Sequence, residues 1–317
     1  MKDIAYYNGK IGRIDEVQAP ITDRGLYFGD GVYDAAMVRN RKIFALDDHL
    51  DRFYNSLRLL RIEPPMERSE LAATLNDLVS RLDSDAPHML YWQSTRAAAH
   101  RKHAFPAGAK ATLMAFAEAC PLDRHDHPYK LITVEDTRFL HCNIKTLNLI
   151  PNCMAMQRAV EAGCDEVVFH RGDRVTEGAH SSLAIIRDGV FCTPPADELI
   201  LPSITRKHFL ELCGRLGIPS RVAPFTVDEL LTADEIMILS TGSHCNAGCA
   251  RKIKAVLLTS SLSWLTGLSR GSLLPMRNPW QPRRFPLSMQ MDFCSARAWT
   301  AHAWRQNSTG TSFLPPI

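Results

Sequence analysis

The chain has 317 residues, of which 45% are hydrophobic and 22% are charged. This balance is typical of a globular enzyme with a sizeable core and excludes a disordered or fibrous protein. No apolar run reaches the roughly eighteen residues that a membrane span needs, and the N-terminus lacks the apolar centre of a signal peptide. We therefore expect a cytoplasmic protein that does not interact with membranes.

The net charge of +3 is distributed unevenly. Residues 1–246 contain 28 basic and 33 acidic residues, whereas residues 247–317 contain nine basic residues and a single acid, Asp292. This tail also holds four of the five tryptophans. A nucleic-acid-binding arm would be basic and aromatic too, but here the basic residues are scattered and no known binding module accompanies them. We expect no nucleic-acid partner.

The nine cysteines do not form a disulfide framework, and most lie inside predicted helices or strands, as reduced core thiols do. We expect no disulfides. His244, Cys245 and Cys249 could be considered as metal ligands, but no second spaced pair accompanies them. No metal site is predicted.

The N-terminal segment begins with Asn8-Gly9 between two short apolar runs, which predicts a β-hairpin. Three glycines then fall within seven residues of the stretch DRGLYFGDGVYD, residues 23–34. They indicate a backbone that bends sharply or that another segment approaches closely. A strand is predicted at residues 32–38, with Tyr33 on one of its faces. A tyrosine in such a position either packs at the core or belongs to a site.

A strand is predicted at residues 42–46, followed by a helix that Asp47 caps. Apolar residues recur there at helical spacing, namely Leu50, Phe53, Leu57 and Leu60. Arg52 lies beside this apolar stripe, where an arginine is either solvated or able to reach a phosphate. A second helix is predicted to begin near Ser69.

Two strands, at residues 88–95 and 110–117, are joined by a loop that contains the stretch RKHAFP, residues 101–106. Arg101 and His103 lie two residues apart in this loop, so both can face one ligand from an extended backbone. Both are hydrogen-bond donors when charged, which suits a carboxylate. A solvated basic loop has the same composition.

Residues 120–130 are polar, rich in proline and without periodicity, which predicts a linker between a first domain at residues 1–119 and a second at residues 131–246. Within the second domain, Lys145 stands alone in an apolar and amide-bearing stretch. Desolvation would disfavour its ammonium form and leave an amine able to form a Schiff base. The alternative is a lysine that extends from a strand end to water.

The rest of the second domain alternates predicted hairpins and helices. A helix is predicted from Pro151 to Gly163, and Glu177 follows a hairpin strand in the stretch VTEG, residues 175–178. A second hairpin turns at Asp188-Gly189.

Ser203 is predicted to cap a further helix, so the amides of Ile204 and Thr205 would form an anion site at its N-terminus. Thr241 follows a strand at residues 235–239 and could meet the same anion.

In combination these stretches resemble the fold-type IV pyridoxal-phosphate enzymes, most closely the D-amino-acid aminotransferases. The resemblance covers about residues 4–246 and is carried by the motifs at residues 23–34, by HLDR at 49–52, by the loop at 101–106, by NIKTLN at 143–148, by VTEG at 175–178 and by LPSITR at 201–206. It implies an α/β (α+β) protein with a small N-terminal α/β domain and a larger, β-rich C-terminal α/β domain that binds pyridoxal 5′-phosphate.

The resemblance also implies roles for single residues. Lys145 would form the Schiff base with the cofactor and shuttle the proton, Glu177 would pair with the pyridine nitrogen, and Tyr33 would lie near the reacting centre. The phosphate would be held by Arg52, Ile204, Thr205 and Thr241, and Leu201 would support the ring. Arg101 and His103 would bind the substrate carboxylate across a homodimer interface.

The implied reaction is ping-pong transamination between a D-amino acid, such as D-alanine, and a 2-oxo acid, such as 2-oxoglutarate. A branched-chain L-amino-acid aminotransferase or an aminodeoxychorismate lyase of the same fold would keep Lys145 and Glu177, but Arg101 with His103 favours the D-amino-acid enzymes. An inactive homologue is a further alternative because of the C-terminus.

Two features depart from the family pattern. Where relatives commonly have a run of serines after the Thr-Glu-Gly, this chain has Ala179-His180 before two serines. After Asn246 the resemblance stops, and residues 247–317 form an atypical tail without a periodic pattern, which we predict to be poorly ordered. The tail resembles either the product of a shifted reading frame or a recruited extension.

Overall fold

A computed structural model describes residues 2–120 and 129–241. The first of these ranges contains a six-stranded sheet in the order β2-β1-β6-β5-β3-β4, whose neighbouring strands all run antiparallel. Its elements are β1 (Ile4–Tyr7), β2 (Lys10–Gly12), α1 (Arg24–Phe28), β3 (Gly31–Arg39), β4 (Lys42–Ile43), α2 (Leu46–Leu59), α3 (Arg68–Ser80), β5 (His88–Thr95) and β6 (Thr112–Ala119).

The second range contains a three-stranded sheet, β7-β8-β9, and a four-stranded sheet, β12-β11-β10-β13. Its elements are β7 (Leu131–Glu135), α4 (Ile150–Glu161), β8 (Glu166–Arg171), β9 (Arg174–Val175), β10 (Ser182–Arg187), β11 (Val190–Thr193), α5 (Ile204–Leu216), β12 (Ser220–Val222), α6 (Val227–Leu231) and β13 (Glu235–Leu239). β7 and β8 are parallel, and α4 lies in the connection between them. The molecule is therefore a mixed α/β protein, as predicted.

The first core lies between the six-stranded sheet and helices α2 and α3. Leu50, Phe53 and Leu57 of α2 are fully buried at the helical spacing seen in the sequence. They pack with the leucines of α3 and with Trp92 of β5. Each of these apolar side chains contributes about 1.5–3 kcal/mol on burial, so this stripe fixes α2, and with it Arg52, against the sheet.

The predicted cap of α2 is wrong. The helix begins at Leu46, and its N-cap is Ala45, which has a φ of 47° and no side-chain cap hydrogen bond. Asp47 lies in the first turn, where its charge still complements the helix dipole. The preceding strand is correspondingly short, because β4 ends at Ile43.

The tight turns predicted from the sequence are confirmed. Asn8 and Gly9 both have positive φ angles between β1 and β2, and Asp188 and Gly189 do between β10 and β11. Ser203 accepts a hydrogen bond from the amide of Arg206 and caps α5, which ends at Gly217 in the left-handed conformation. The predicted helix at residues 151–163 also forms, but Met154 and Val160 are more than half exposed on it.

Several predictions concern residues outside the described ranges. The tail at residues 247–317, the metal candidates His244, Cys245 and Cys249, and most of the linker at residues 120–130 are among them. The domain boundaries and the alternative of an inactive homologue therefore stay predictions. Across residues 2–120 and 129–241, no helix combines the length and the apolar character that crossing a bilayer requires.

The segment that contains Lys145 packs against the glycine-rich stretch before β3. The amide of Tyr33 donates to the carbonyl of Lys145 (2.9 Å), and the amide of Leu147 donates to the carbonyl of Gly31 (3.2 Å). A Cβ atom on Gly31 would lie 2.9 Å from the Leu147 side chain and 2.6 Å from the carbonyl oxygen of Ser94. The sequence-based expectation of a close approach at these glycines is therefore confirmed.

Replacing Gly31 by alanine should destabilise the protein, because the added methyl group meets backbone that cannot move aside. We expect the free energy of unfolding to fall by about 1–3 kcal/mol in urea titrations of the full chain. Gly214→Ala is the matched control, since a Cβ on Gly214, within α5, would have no other atom within 4 Å and alanine favours a helix. Equal stability of the Gly31 variant and the parent would contradict this account of the packing.

Candidate active site

A cavity of about 260 Å³ lies between the six-stranded sheet and the second part of the chain. It is lined by Tyr33 and Arg52 from the first range and by Lys145, Glu177, Leu201 and Thr241 from the second. Six of the predicted site residues therefore meet around one space, although they are spread over more than 200 positions of sequence.

Lys145 enters this cavity from a well-anchored backbone. Besides the bond from Tyr33, its own amide donates to the hydroxyl of Ser56 on α2 (3.3 Å). The Nζ atom lies 4.2 Å from the centre of the Tyr33 ring. The main chain of Lys145 is held on both sides while the amine projects into the cavity next to an aromatic face.

Arg52 is held by a buried carboxylate. Its Nε and Nη2 atoms donate to the two oxygens of Asp34 (2.9 and 2.7 Å), and Nη1 donates to the carbonyl of Pro202 (3.1 Å). His49 contacts the same Asp34 through Nδ1 (2.8 Å). Burial alone would raise the pKa of Asp34, but the charge of Arg52 and the hydrogen bonds from Arg52 and His49 outweigh it and hold that pKa well below its usual range. Asp34 therefore remains a carboxylate and fixes the guanidinium.

The N-terminus of α5 reaches the same end of the cavity. Ser203 lines the cavity, and its hydroxyl satisfies the amide of Arg206. By helix geometry the amides of Ile204 and Thr205 have no carbonyl partner within the helix. Neither Ile204 nor Thr205 is among the residues that line the cavity, whereas Arg52 and Thr241 are. Cationic, amide and hydroxyl groups of this kind hold phosphates in proteins.

Glu177 lies at another wall of the cavity and is 6% exposed. Its carboxylate accepts hydrogen bonds from Nη1 of Arg138 (2.5 Å) and from the amide of Leu201 (3.1 Å). Burial raises the pKa of Glu177 to about 7, against the opposing effects of Arg138 and the Leu201 amide. A buried carboxyl group poised near neutrality is suited to pairing with a cation that enters the cavity.

Arg138 is a site residue that the sequence analysis did not assign, although it begins the stretch that contains Lys145. It pairs with both oxygens of Asp136 (2.9 Å each) as well as with Glu177. Burial by itself would lower the pKa of the Arg138 guanidinium, but the bonds and charges of Asp136 and Glu177 outweigh burial and raise that pKa, so the group stays charged. Asp136 lies only two residues from Arg138, but Glu177, the partner that connects Arg138 to the site, lies 39 positions further along the chain, so the sequence contains no signal for it.

Arg101 and His103 are not among the residues that line the cavity. Both are exposed on the loop after β5, where the guanidinium carbon of Arg101 lies 5.2 Å from the ring centre of Phe28 and the imidazole of His103 lies 5.1 Å from it. The resemblance assigns them to the site of a second subunit, so this role stays a prediction.

The cavity combines features that fit pyridoxal 5′-phosphate. It has an amine that can condense with an aldehyde, an arginine beside the N-terminus of α5 as an anion would require, and a buried carboxylate that can face a cationic ring nitrogen. Comparison with known proteins agrees with this fit. Residues 31–247 match the sequence model of the amino-transferase class IV family.

The D-alanine aminotransferase of Bacillus licheniformis is 38% identical over 237 residues, which cover 74% of this chain and 83% of that protein. Among solved structures, the branched-chain aminotransferase of Thermoproteus uzoniensis has a TM-score of 0.76 at 19% identity and covers 96% of each chain. A T.th. branched-chain amino acid aminotransferase, solved with pyridoxamine 5′-phosphate, has a TM-score of 0.71 at 25% identity, covering 76% of this chain and 83% of that one.

The family match, the level of identity and the donor groups of the cavity lead to one assignment. The chain belongs to the class IV aminotransferases, enzymes of the fold-type IV architecture that depend on pyridoxal 5′-phosphate.

Proposed function

We propose that this enzyme transfers the amino group of a D-amino acid, such as D-alanine, to a 2-oxo acid, such as 2-oxoglutarate, and that it acts as a cytoplasmic homodimer. The observation that carries the D-specific proposal is the 38% identity to a D-alanine aminotransferase over 83% of that protein. The Arg101 and His103 loop supports it, because two donors for an α-carboxylate occur together in one exposed segment.

A branched-chain L-amino-acid aminotransferase is the second candidate, because solved structures similar to this chain carry that name. The two candidates are separated by measuring kcat/KM for D-alanine and for L-leucine with 2-oxoglutarate as the common acceptor. A clear preference for L-leucine would replace the first proposal by the second.

The proposed division of the cavity follows the charges of its walls. Arg52, the amides of Ile204 and Thr205, and Thr241 would bind the phosphate, since they provide positive charge and donors at one end. Glu177 would pair with the ring nitrogen, and Leu201, whose amide fixes Glu177, would support the ring. Tyr33 would stand beside Lys145 at the reacting end.

When bound, pyridoxal phosphate supplies the aldehyde that accepts an amino group and a ring that withdraws the electrons released at the substrate Cα. The protein's own contribution is to hold and move a proton. As a general base and then a general acid, the amine of Lys145 would take the proton from the substrate Cα and give it to the cofactor carbon that carried the aldehyde. In the second half of the cycle it would move a proton in the opposite direction, from that carbon to Cα. Glu177 would favour the cationic form of the ring nitrogen, because a carboxylate stabilises a protonated nitrogen.

The Lys145→Ala variant should lose transamination by about 10²- to 10⁴-fold or more, because among the described residues of the cavity wall no other lysine can replace Lys145 as base and as point of attachment. Borohydride treatment followed by peptide mass spectrometry should label the Lys145 peptide of the parent with cofactor. Lys130→Ala, at an exposed position just before β7, is the control. Activity of Lys145→Ala within tenfold of the parent would disprove the assignment.

The Arg138→Leu variant should bind cofactor about tenfold or more weakly, because loss of the guanidinium raises the pKa of Glu177 further and leaves a neutral acid opposite the ring nitrogen. The measurement is a cofactor titration of the apoprotein near pH 7. Arg171→Leu is the matched control, since Arg171 bonds Asp136 (3.3 Å) and backbone carbonyls but has no contact with Glu177 among its hydrogen bonds. Equal effects of both variants would assign Arg138 a purely structural role.

The Arg101→Ala variant should raise KM for D-amino acids by about 10- to 150-fold and leave the cofactor absorbance intact. This factor corresponds to about 1.5–3 kcal/mol, the range of a charge-assisted hydrogen bond. Lys102→Ala serves as control in the same exposed loop. Loss of cofactor from the Arg101 variant would instead indicate a role in cofactor binding or in structure.

Mixing the Lys145→Ala and Arg101→Ala variants, assayed at low substrate concentration, tests whether Arg101 acts across a homodimer. A heterodimer of Lys145→Ala and Arg101→Ala subunits has one site with both native residues if the loop reaches the partner's cavity. Random mixing of equal amounts should then restore about a quarter of the parent activity. If Arg101 served its own subunit, no site would regain both residues and activity would stay at the level of the separate variants.

A further inference from the structure

We propose that His180, oriented by the buried Glu166, binds the distal carboxylate of a dicarboxylic substrate in this cavity. The inference rests on the proposed transaminase function and adds a specificity-determining residue to it. His180 is one of the two residues at which this chain departs from the serine run expected after the Thr-Glu-Gly.

The loop that carries His180 is tightly fixed. Gly178 donates its amide to the carbonyl of Ser181 (2.8 Å), which closes a short turn, and Asn152 donates to the carbonyl of Ala179 (2.7 Å). Ala179 and Ser181 are each 6% exposed. The His180 side chain, in contrast, is 57% exposed and lines the cavity. The turn therefore presents one imidazole to the cavity from an otherwise buried loop.

Glu166 holds both the turn and the ring. One of its oxygens accepts the amides of Val167 (2.8 Å) and Ala179 (3.2 Å), and the other accepts the Ser181 hydroxyl (2.9 Å) and lies 3.0 Å from Nδ1 of His180. Glu166 itself is 2% exposed. Four contacts to one buried carboxylate fix its position, so the imidazole that faces it has a preferred orientation.

This pairing leaves Nε2 for another partner. With Nδ1 directed at Glu166, Nε2 is the ring nitrogen left to face the cavity, and in a protonated imidazole it is a hydrogen-bond donor. A ligand carboxylate at Nε2 would then accept a charge-assisted hydrogen bond.

The other basic side chains of the cavity wall are already engaged. In the described part of the chain these are Arg52, Arg138 and Lys145. Arg52 is bound to Asp34 and assigned to the phosphate, Arg138 is bound to Asp136 and Glu177, and Lys145 is the proposed base. The α-carboxylate is assigned to Arg101 and His103. Among the described residues of this wall, His180 is therefore the basic side chain that remains for the second carboxylate of a substrate such as 2-oxoglutarate.

The test compares a dicarboxylic and a monocarboxylic acceptor in the His180→Leu holoenzyme. Acceptors are 2-oxoglutarate and 2-oxobutyrate, and the amino acid formed is quantified with whichever donor, D-alanine or L-leucine, the parent enzyme uses. The ratio of kcat/KM for 2-oxoglutarate to that for 2-oxobutyrate should fall by about 10- to 100-fold, the loss expected for one charge-assisted hydrogen bond. His170→Leu is the matched control, since His170 also faces a glutamate (Glu135, 3.4 Å) but does not line the cavity.

A binding measurement supplies a second readout. Calorimetry with glutarate and with butyrate should show that His180→Leu weakens only the dicarboxylate. If the variant loses both acceptors by the same factor, or neither, the proposal is overturned. The role of His180 and the D-amino-acid preference are tested separately. If the parent uses L-leucine and the His180→Leu variant still loses activity selectively with 2-oxoglutarate, only the D-specific proposal is refuted.

Discussion

The packing of the Lys145 segment against the glycine-rich stretch is the contact on which the site depends. Lys145 belongs to the second described range, residues 129–241. Its carbonyl nevertheless accepts a hydrogen bond from the amide of Tyr33 in β3, and the amide of Leu147 donates to the carbonyl of Gly31, the first residue of β3. The close approach requires hydrogen in place of Cβ at Gly31, where a Cβ would lie 2.9 Å from the Leu147 side chain. Two parts of the chain that could otherwise form separate cores are thereby joined along the wall of one cavity. Hydrogen bonds to the carbonyl and to the amide of Lys145 fix its main chain, so the amine is positioned while its side chain stays free to move during the reaction.

Two buried carboxyl groups, Asp34 behind Arg52 and Glu177 in the cavity wall, have their pKa values shifted in opposite directions. Burial opposes ionisation of both Asp34 and Glu177. Asp34 is hydrogen-bonded to Arg52 and His49, which stabilise its charged form, so its pKa is lowered and it serves as a fixed anion. For Glu177 burial prevails and, with a smaller contribution from the negative charge of Asp136, raises the pKa to about 7 although Arg138 opposes it. The first carboxylate is committed to holding a guanidinium, whereas the second has unused capacity for a cation from outside the protein.

Local patterns in the sequence were sufficient for most elements and for much of the site. The Asn-Gly and Asp-Gly hairpins, the Ser203 cap and the apolar stripe of α2 each depend on neighbours within a few residues, and all of them form. The α2 cap was mispredicted because Ala45 adopts a left-handed conformation that its residue type does not suggest. Arg138 was missed because its three bonds to carboxylates reach residues 2 and 39 positions away, and only the fold reveals the second of these. Single residues could be assigned to the cavity only through family motifs, since no periodicity connects Tyr33 with Thr241.

The way in which Glu177 is held limits what evolution can place at that position. Both of its oxygens face donors, the Arg138 guanidinium and the Leu201 amide. Glutamine would present one oxygen and one NH₂ group, so one of these donors would meet another donor in a buried space. Aspartate is one methylene shorter and would have to release one of the two partners. A substitution of Glu177 would therefore need a compensating change in one of these donors, most simply at Arg138, because the two side chains satisfy each other although they lie on different segments of the chain.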